Sequence, residues 1–490
     1  MLRAARMAPL LLALALSADP RLDAIEALND QLEDRFDAIC SALKGGARSV
    51  PVALAAPGAH PVPKQLVWVT SCSLRALKLE ATGAASRAAH LLWELEGRDA
   101  SGARVIERGE GDGRVKKLGT GWQLASFTVG WEHAVRREAP RFLEVGAQVG
   151  LSFPARKGGP ASAEILTGGL AVRDFDGDGR LDFAAVDGPS LYLFRNVEGG
   201  DRGYHFERSL LLEAPKDNFV SSVAAGDFDN DGDADLLAVY FRDAAPAVLE
   251  NRDGKLTPFG SLDRGGRLQS ALASDLDGDS NLDLVLLPYP LTAFVPSNML
   301  ETKNGEPVRL YRGDGKLGFT PWPLPAAPGR WSLAAVSADL LGLGRPQLYV
   351  ANDFGSNDLY VFEADGGARN VARERGLDDP GNGMSADVAD LDRDGRLDLY
   401  VANMFSKAGT RVVGNTAMDA AGKALLEKFA RGNTVYLALD DGGFAERAPE
   451  LGLNRGLWAF GSVMFDADDD GQLEVAVANG YYSDPKRKDL

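Results

Sequence analysis

The stretch DFDGDGRLD, residues 174–182, places carboxylates at positions 1, 3, 5 and 9 of a nine-residue turn, with glycine at position 6. The same register returns as DFDNDGDAD at 227–235, DLDGDSNLD at 275–283, DLDRDGRLD at 390–398 and DADDDGQLE at 466–474. Along a tightly curled turn, a spacing of two lets alternate side chains converge on one point. Glycine at position 6 lets the backbone reverse, and Ser280 replaces it in the third turn. The carbonyl of position 7 adds an oxygen, and position 9 closes the set. The first turn thus offers Asp174, Asp176, Asp178 and Asp182 with the carbonyl of Arg180. The second offers Asp227, Asp229, Asp231 and Asp235 with that of Asp233, and the third Asp275, Asp277, Asp279 and Asp283 with that of Asn281. Next come Asp390, Asp392, Asp394 and Asp398 with the carbonyl of Arg396, then Asp466, Asp468, Asp470 and Glu474 with that of Gln472.

An all-oxygen set with several carboxylates suits a hard cation, calcium above all. Left uncompensated, clustered carboxylates repel one another. Five divalent ions would move the formal net charge from −17 to −7. An EF-hand also begins D-x-D-x-D-G, but it needs Glu at position 12 and flanking helices. Position 12 here is Ala185, Ala238, Leu286, Val401 and Val477, within apolar runs that read as buried strands. A sixth turn, DLLGLGRPQ at 339–347, keeps Asp339 and Gly344 but has Leu341, Leu343 and Gln347 where carboxylates belong. The same backbone is expected there without an ion, with apolar residues packing the turn instead.

The six turns are spaced by 53, 48, 64, 51 and 76 residues. Each unit holds a small-residue strand, the turn, an apolar strand and a further strand of LYLF type, the pattern of a four-stranded propeller blade. The expected fold is mainly β: a calcium-binding β-propeller over 141–490, with six countable repeats and a seventh blade left open, preceded by a small α+β domain at 19–135. The segment FLEVGAQVGL at 142–151 resembles NVARERGL and FAERAPELGL, which end other units, and is expected to pair with the last blade and close the ring. Closure would remove two open sheet edges. The segment TAMDAAGKALLEKFARG around 416–432 reads as a polar helical insertion.

In the N-terminal region, Ile25, Leu28, Leu32, Phe36, Ile39 and Leu43 recur every three or four residues and predict an amphipathic helix. Short alternating runs from Leu66 to Val129 predict an antiparallel sheet. Residues 47–64 read as a linker. At the very start, Arg3 and Arg6 precede an apolar run from Met7 to Leu16 and the small pair Ala15-x-Ser17, the order of a signal peptide over 1–18; the competing reading is a buried helix. Cys40 and Cys72 form either one disulfide or two buried thiols.

The repeats resemble the FG-GAP/VCBS repeats of integrin-α-type propellers, which carry calcium in such turns. A finer resemblance, to the cartilage-acidic-protein-like (ASPIC/UnbV-related) group, rests on ARNVARERGLDDPGNGMSADVADLDRDGRLDLYVANMFSKAG at 368–409, ARGNTVYLALDDGGFAERAPELGL at 430–453 and LWAFGSVMFDADDDGQLEVAVANGYYSD at 457–484. Roles tied to the C-terminal extension of some relatives are not carried over. GTGWQLASFTV at 119–129 makes the N-terminal unit faintly similar to nuclear-transport-factor-like (NTF2-like) domains.

An acidic chain without a basic face disfavours nucleic acid as partner. The apolar run Met7 to Leu16 is too short to span a bilayer, and no other segment reaches transmembrane length. His60, His90, His133 and His205 fall in no acid–base or metal motif, and G-x-S-x-G and H-E-x-x-H are absent from the sequence. The expected function is therefore a secreted, periplasmic or cell-surface binding or adhesion-type module for a protein or carbohydrate ligand. The alternative is a propeller-scaffold enzyme, a polysaccharide lyase or hydrolase, because fold alone does not separate the two.

Overall fold

The computed structural model describes most of residues 32–44, the strands between 68 and 136, and most of 145–153 and 168–479. Residues 1–31, 45–67, 137–144, 154–167, 290–301, 406–423 and 480–490 lie outside the described residues, with short breaks elsewhere. The segments read as signal peptide and linker, most of the expected 416–432 insertion and Asp468 fall among those.

The chain divides into two compact units. The N-terminal unit holds helical residues 36–41 and a five-stranded antiparallel sheet: Trp68–Gly83, Ser86–Arg98, Arg104–Leu118, Gly121–Phe127 and Gly130–Arg136. Of the apolar face read from the sequence, Leu32, Phe36, Ile39 and Leu43 are buried, and Ile25 and Leu28 lie outside the described residues. Cys40 on the helix is disulfide-bonded to Cys72 on the first strand, which settles the alternative left open by the sequence.

The second unit comprises Val145–Ser406 and Lys428–Asp484 and is a β-propeller. Five blades are four-stranded antiparallel meanders in sequence order, and a sixth begins with the pair Ala459–Phe465 and Glu474–Asn479. The first strands of successive blades neighbour one another. They are built of small residues, VSSVAAG at Val220–Gly226 and LQSALAS at Leu268–Ser274. Short side chains allow this close approach, and Ser274 Oγ meets Ser337 Oγ of the next blade at 2.9 Å.

The second strands are apolar on both faces, and Asp235–Tyr240 and Asp283–Pro288 are buried throughout. Strand residues alternate sides, so each such strand feeds two cores. Leu236, Ala238 and Tyr240 join the cluster shared with blade one, whereas Leu237 and Val239 join that shared with blade three.

Of the segment 142–151, expected to pair with the last blade and close the ring, residues 142–144 lie outside the described residues. Residues 145–151 form a turn in which the Val149 and Leu151 amides donate to the Val145 and Gly146 carbonyls. Val145, Val149 and Leu151 pack on Phe183, Tyr192, Phe194 and Phe206 of the first blade, and the Phe206 amide donates to the Val149 carbonyl at 2.7 Å. Their spacing makes an apolar knob that packs on the first blade and bonds its fourth strand, Tyr204–Glu213. The similar segment NVARERGL behaves the same way: Val371, Ala372 and Leu377 wedge between blades four and five.

Candidate metal centre

All six acidic-type turns share one backbone. Position 6 lies in the left-handed region at Gly179, Gly232, Ser280, Gly344, Gly395 and Gly471. Position 4 does so too, at Gly177, Asn230, Gly278, Gly342, Arg393 and Asp469, which the sequence reading missed. Two left-handed residues curl the intervening amides inward. The position-1 carboxylate fills that curl. Asp227 Oδ1 accepts the Asp231 amide at 3.1 Å and Oδ2 the Gly232 amide at 3.0 Å. Asp174, Asp275, Asp390 and Asp466 do the same, as does Asp339 in the turn without acids.

Position 9 also bonds to backbone. Asp235 Oδ2 accepts the Phe228 amide at 2.8 Å, and Oδ1 accepts the Asn251 amide on the third strand at 2.8 Å. Asp182, Asp283 and Asp398 repeat this clamp, and Glu474 takes the Ala467 amide at 2.8 Å. Position 2 is a buried plug, Phe175, Phe228, Leu276 or Leu340. Its carbonyl is held by the next blade: Asn251 Nδ2 donates to the Phe175 carbonyl at 2.8 Å, and the Leu317 amide to the Phe228 carbonyl at 3.2 Å. The sequence reading overlooked this plug, although an apolar residue follows the first Asp in each of these turns.

Backbone bonding therefore accounts for positions 1 and 9. It accounts for position 3 only in part: Asp277 Oδ1 accepts the Asp279 amide at 3.2 Å. Asp176 Oδ1 and Asp229 Oδ1 are buried with no hydrogen-bond partner. An arginine stands near this position in two turns, Arg195 at 3.9 Å from Asp176 and Arg312 at 2.9 Å from Asp277.

Among the described residues, four turns gather three carboxylates whose oxygens lie within 4.8 Å of one another, a grouping that could hold a metal ion, but not always the same three. In the second and third turns they are positions 1, 3 and 5, namely Asp227, Asp229, Asp231 and Asp275, Asp277, Asp279. In the first and fifth they are positions 1, 3 and 9, namely Asp174, Asp176, Asp182 and Asp390, Asp392, Asp398. Arginine at position 7 makes the difference. Arg180 is ion-paired with Asp178 and Arg396 with Asp394, which draws position 5 aside. Asp233 and Asn281 exert no such pull: Asp233 Oδ2 accepts the Asp253 amide at 3.0 Å and Asn281 Oδ1 accepts Asn230 Nδ2 at 2.9 Å. In the last turn the Gln472 amide donates to Asp470 Oδ1 at 2.8 Å and its side chain to Oδ2 at 3.3 Å.

Burial, ahead of repulsion from neighbouring carboxylates, raises the pKa of Asp182, Asp229 and Asp398. It pushes Asp235 and Asp283 up to about 6 against the pull of their backbone hydrogen bonds. Stacked negative charge in a partly dry turn disfavours ionisation, and a cation would reverse that.

The turn at 339–347 replaces the acids by an amide, not only by apolar packing as expected. Leu340 is buried and Leu341 packs on the core, but Leu343 is 52% exposed. The fully buried Gln347, at position 9, reaches inward. Its Nε2 donates to Asp339 Oδ1 at 3.4 Å and to the Arg345 carbonyl, position 7, at 2.6 Å. Its Oε1 accepts the Leu341 amide at 2.8 Å. An N–H donor thus sits between two oxygens that a cation would otherwise join.

The FG-GAP-like repeat model matches residues 174–238 and 339–401. The chain carries FG-GAP-like repeats. The two matched FG-GAP-like segments open on the Asp174 and Asp339 turns, so the family pattern spans both the acidic and the amide form. Over 175 residues the chain is 29% identical to cartilage acidic protein 1 of Mus musculus, covering 31% of this chain and 25% of that protein. It is 27% identical over 172 residues to the Homo sapiens protein, covering 31% and 24%. The FG-GAP-like chain thus aligns with about a quarter of these curated relatives, to whose group it is related. A solved lectin of Agrocybe aegerita that recognises non-reducing terminal N-acetylglucosamine matches with a TM-score of 0.38 at 16% identity, covering 63% of this chain and 74% of that one.

Proposed function

We propose that the chain is an exported, non-catalytic binding module, a propeller whose acidic turns are tied by calcium and whose surface receives a protein or glycan partner. The observation that carries the calcium reading is position 3. The turn at 339–347 needs no carboxylate there to hold the shared backbone, yet Asp176 and Asp229 each bury an oxygen without a partner. The residues that would hold the ions are Asp174, Asp176, Asp178, Asp182, Asp227, Asp229, Asp231, Asp235, Asp275, Asp277, Asp279, Asp283, Asp390, Asp392, Asp394, Asp398, Asp466, Asp468, Asp470 and Glu474, with the carbonyls of Arg180, Asp233, Asn281, Arg396 and Gln472. Calcium, when bound, supplies positive charge where burial makes negative charge costly. The 339–347 turn takes no ion in this reading.

Export is supported by the Cys40–Cys72 disulfide, which persists in oxidising compartments. No helix among the described residues is long and apolar enough to cross a membrane. The non-enzymatic reading rests on carboxylates already engaged as turn clamps and ligands rather than poised as acid–base pairs.

The test is thermal melting of chelator-treated protein titrated with calcium, alongside metal analysis of the purified chain. At a calcium concentration ten times the dissociation constant, each site adds about 1.4 kcal/mol by mass action. Several sites together should raise the melting temperature well beyond experimental scatter. An identical melt with chelator and with millimolar calcium would overturn the reading.

A further inference from the structure

The propeller has a second end with different chemistry. Strands rise about 3.3 Å per residue, so a six-residue strand carries the chain roughly 20 Å. The strand Asp235–Tyr240 leaves the Asp227 turn and delivers Phe241, Arg242 and Asp243 to the far end. Arg267 immediately precedes Leu268–Ser274, which runs toward the Asp275 turn, so it starts from that same far end. These four residues line a cavity of about 420 Å³.

Arg267 is unusual among the arginines around it. Arg309 pairs with Glu306 at 2.5 Å and donates to the Gly265 carbonyl at 2.6 Å. Arg330 pairs with Asp358 at 3.3 Å. Arg267 is held by its backbone, its carbonyl accepting the Tyr289 amide at 2.9 Å. Its guanidinium has no carboxylate partner among the described residues, and Nη1 is buried without a hydrogen bond. A buried cation donor left unmatched is unfavourable, so its place at a cavity wall points to a ligand that supplies the acceptor. Arg242 is positioned beside it. Its amide donates to Asn218 Oδ1 at 2.8 Å, and its guanidinium lies 5.8 Å from the Phe219 ring centre.

We infer that this cavity between blades two and three binds a sugar carrying an anionic group, a carboxylate or a sulfate, with Arg267 receiving the anion. Arg267 offers a planar fork of donors matched to either group. Asp243 would repel a bare anion, but it accepts hydrogen bonds from the hydroxyls of a sugar. Buried Phe241 gives an apolar wall to a cavity within the size range of small-molecule sites. The inference rests on the binding-module reading and names the chemistry of its partner.

The calcium-loaded full chain is titrated with glucuronic acid, glucose 6-sulfate, glucose and a tetraglutamate peptide, followed by saturation-transfer NMR and calorimetry. One or both anionic sugars should bind at least tenfold more tightly than glucose, and the better of the two identifies the group. Arg267→Ala should weaken that binding by about tenfold to a hundredfold, Arg267→Lys should weaken it less, and both variants should keep the wild-type melt. Equal binding of charged and neutral sugars, binding of the peptide alone, binding untouched by Arg267→Ala, or no binding of any probe would overturn the inference. Calcium-dependent melting is unaffected by any of these results, so the two readings fail separately.

Discussion

The turns at Asp227–Asp235 and at Asp339–Gln347 trace the same backbone with opposite chemistry at the centre. Both curl their amides around the position-1 carboxylate and both bury an apolar residue at position 2. The first then adds carboxylates, one with an oxygen buried and unpartnered. The second adds a glutamine whose amide bonds the surrounding oxygens directly. The turn is thus a preformed frame, and its filling is a separate choice between clustered carboxylates and an N–H donor.

The most forceful way to break this comparison is to convert one turn into the other. Leu341→Asp with Gln347→Asp should raise the bound calcium count by one and lower stability in chelator by about 2 kcal/mol, the order expected for buried polar groups without partners. An unchanged metal count would mean that the frame does not select the ion. A smaller step is Asp392→Ala, which should remove one ion and about 1.4 kcal/mol at a calcium concentration ten times the dissociation constant. Leu341→Ala should leave the metal count unaltered, and equal loss in both variants would erase the distinction.

Acidity sharpens the comparison in another way. Asp235 and Asp283 are raised to about 6 in the fold from 3.8, and so is Asp353, buried beside Tyr289 outside the turns. Between those two values the folded, metal-free protein holds more protons than the unfolded chain, so its stability falls as pH rises through about 4 to 6. Chelated protein should therefore melt higher at pH 5 than at pH 7.5. Calcium-loaded protein should show the reverse order, because protons compete with the ion. Parallel pH profiles in both forms would place the raised carboxylates outside any ion's influence. The smallest expected effect is at Ser280, whose φ of 73° is one that glycine adopts freely. Ser280→Gly should stabilise the third turn by up to about 1 kcal/mol, read by chemical denaturation.

The blades and their order were legible because two periodicities are written in the chain: the fixed register of acids, and apolar second strands between small-residue first strands. The candidate ligands were legible for the same reason. What escaped was everything set by side-chain reach. Arg180 and Arg396 pull position 5 aside, so two turns gather positions 1, 3 and 9 and two gather 1, 3 and 5. Gln347 replaces a charge by a hydrogen bond, which its residue type permits but its position does not announce. The likeness of 145–151 to NVARERGL marks a shared role, packing against a blade.

The sharing of each second strand between two clusters has a consequence for how this propeller comes apart. Leu236 and Leu237 are chain neighbours committed to different interfaces. A blade peeled away would strip its neighbours on both sides of half their apolar contacts. Proteolytic trimming or genetic deletion of one repeat should therefore not yield a shorter, sound disc. It should yield a chain that aggregates, and only whole units exchanged for units of like shape would be tolerated.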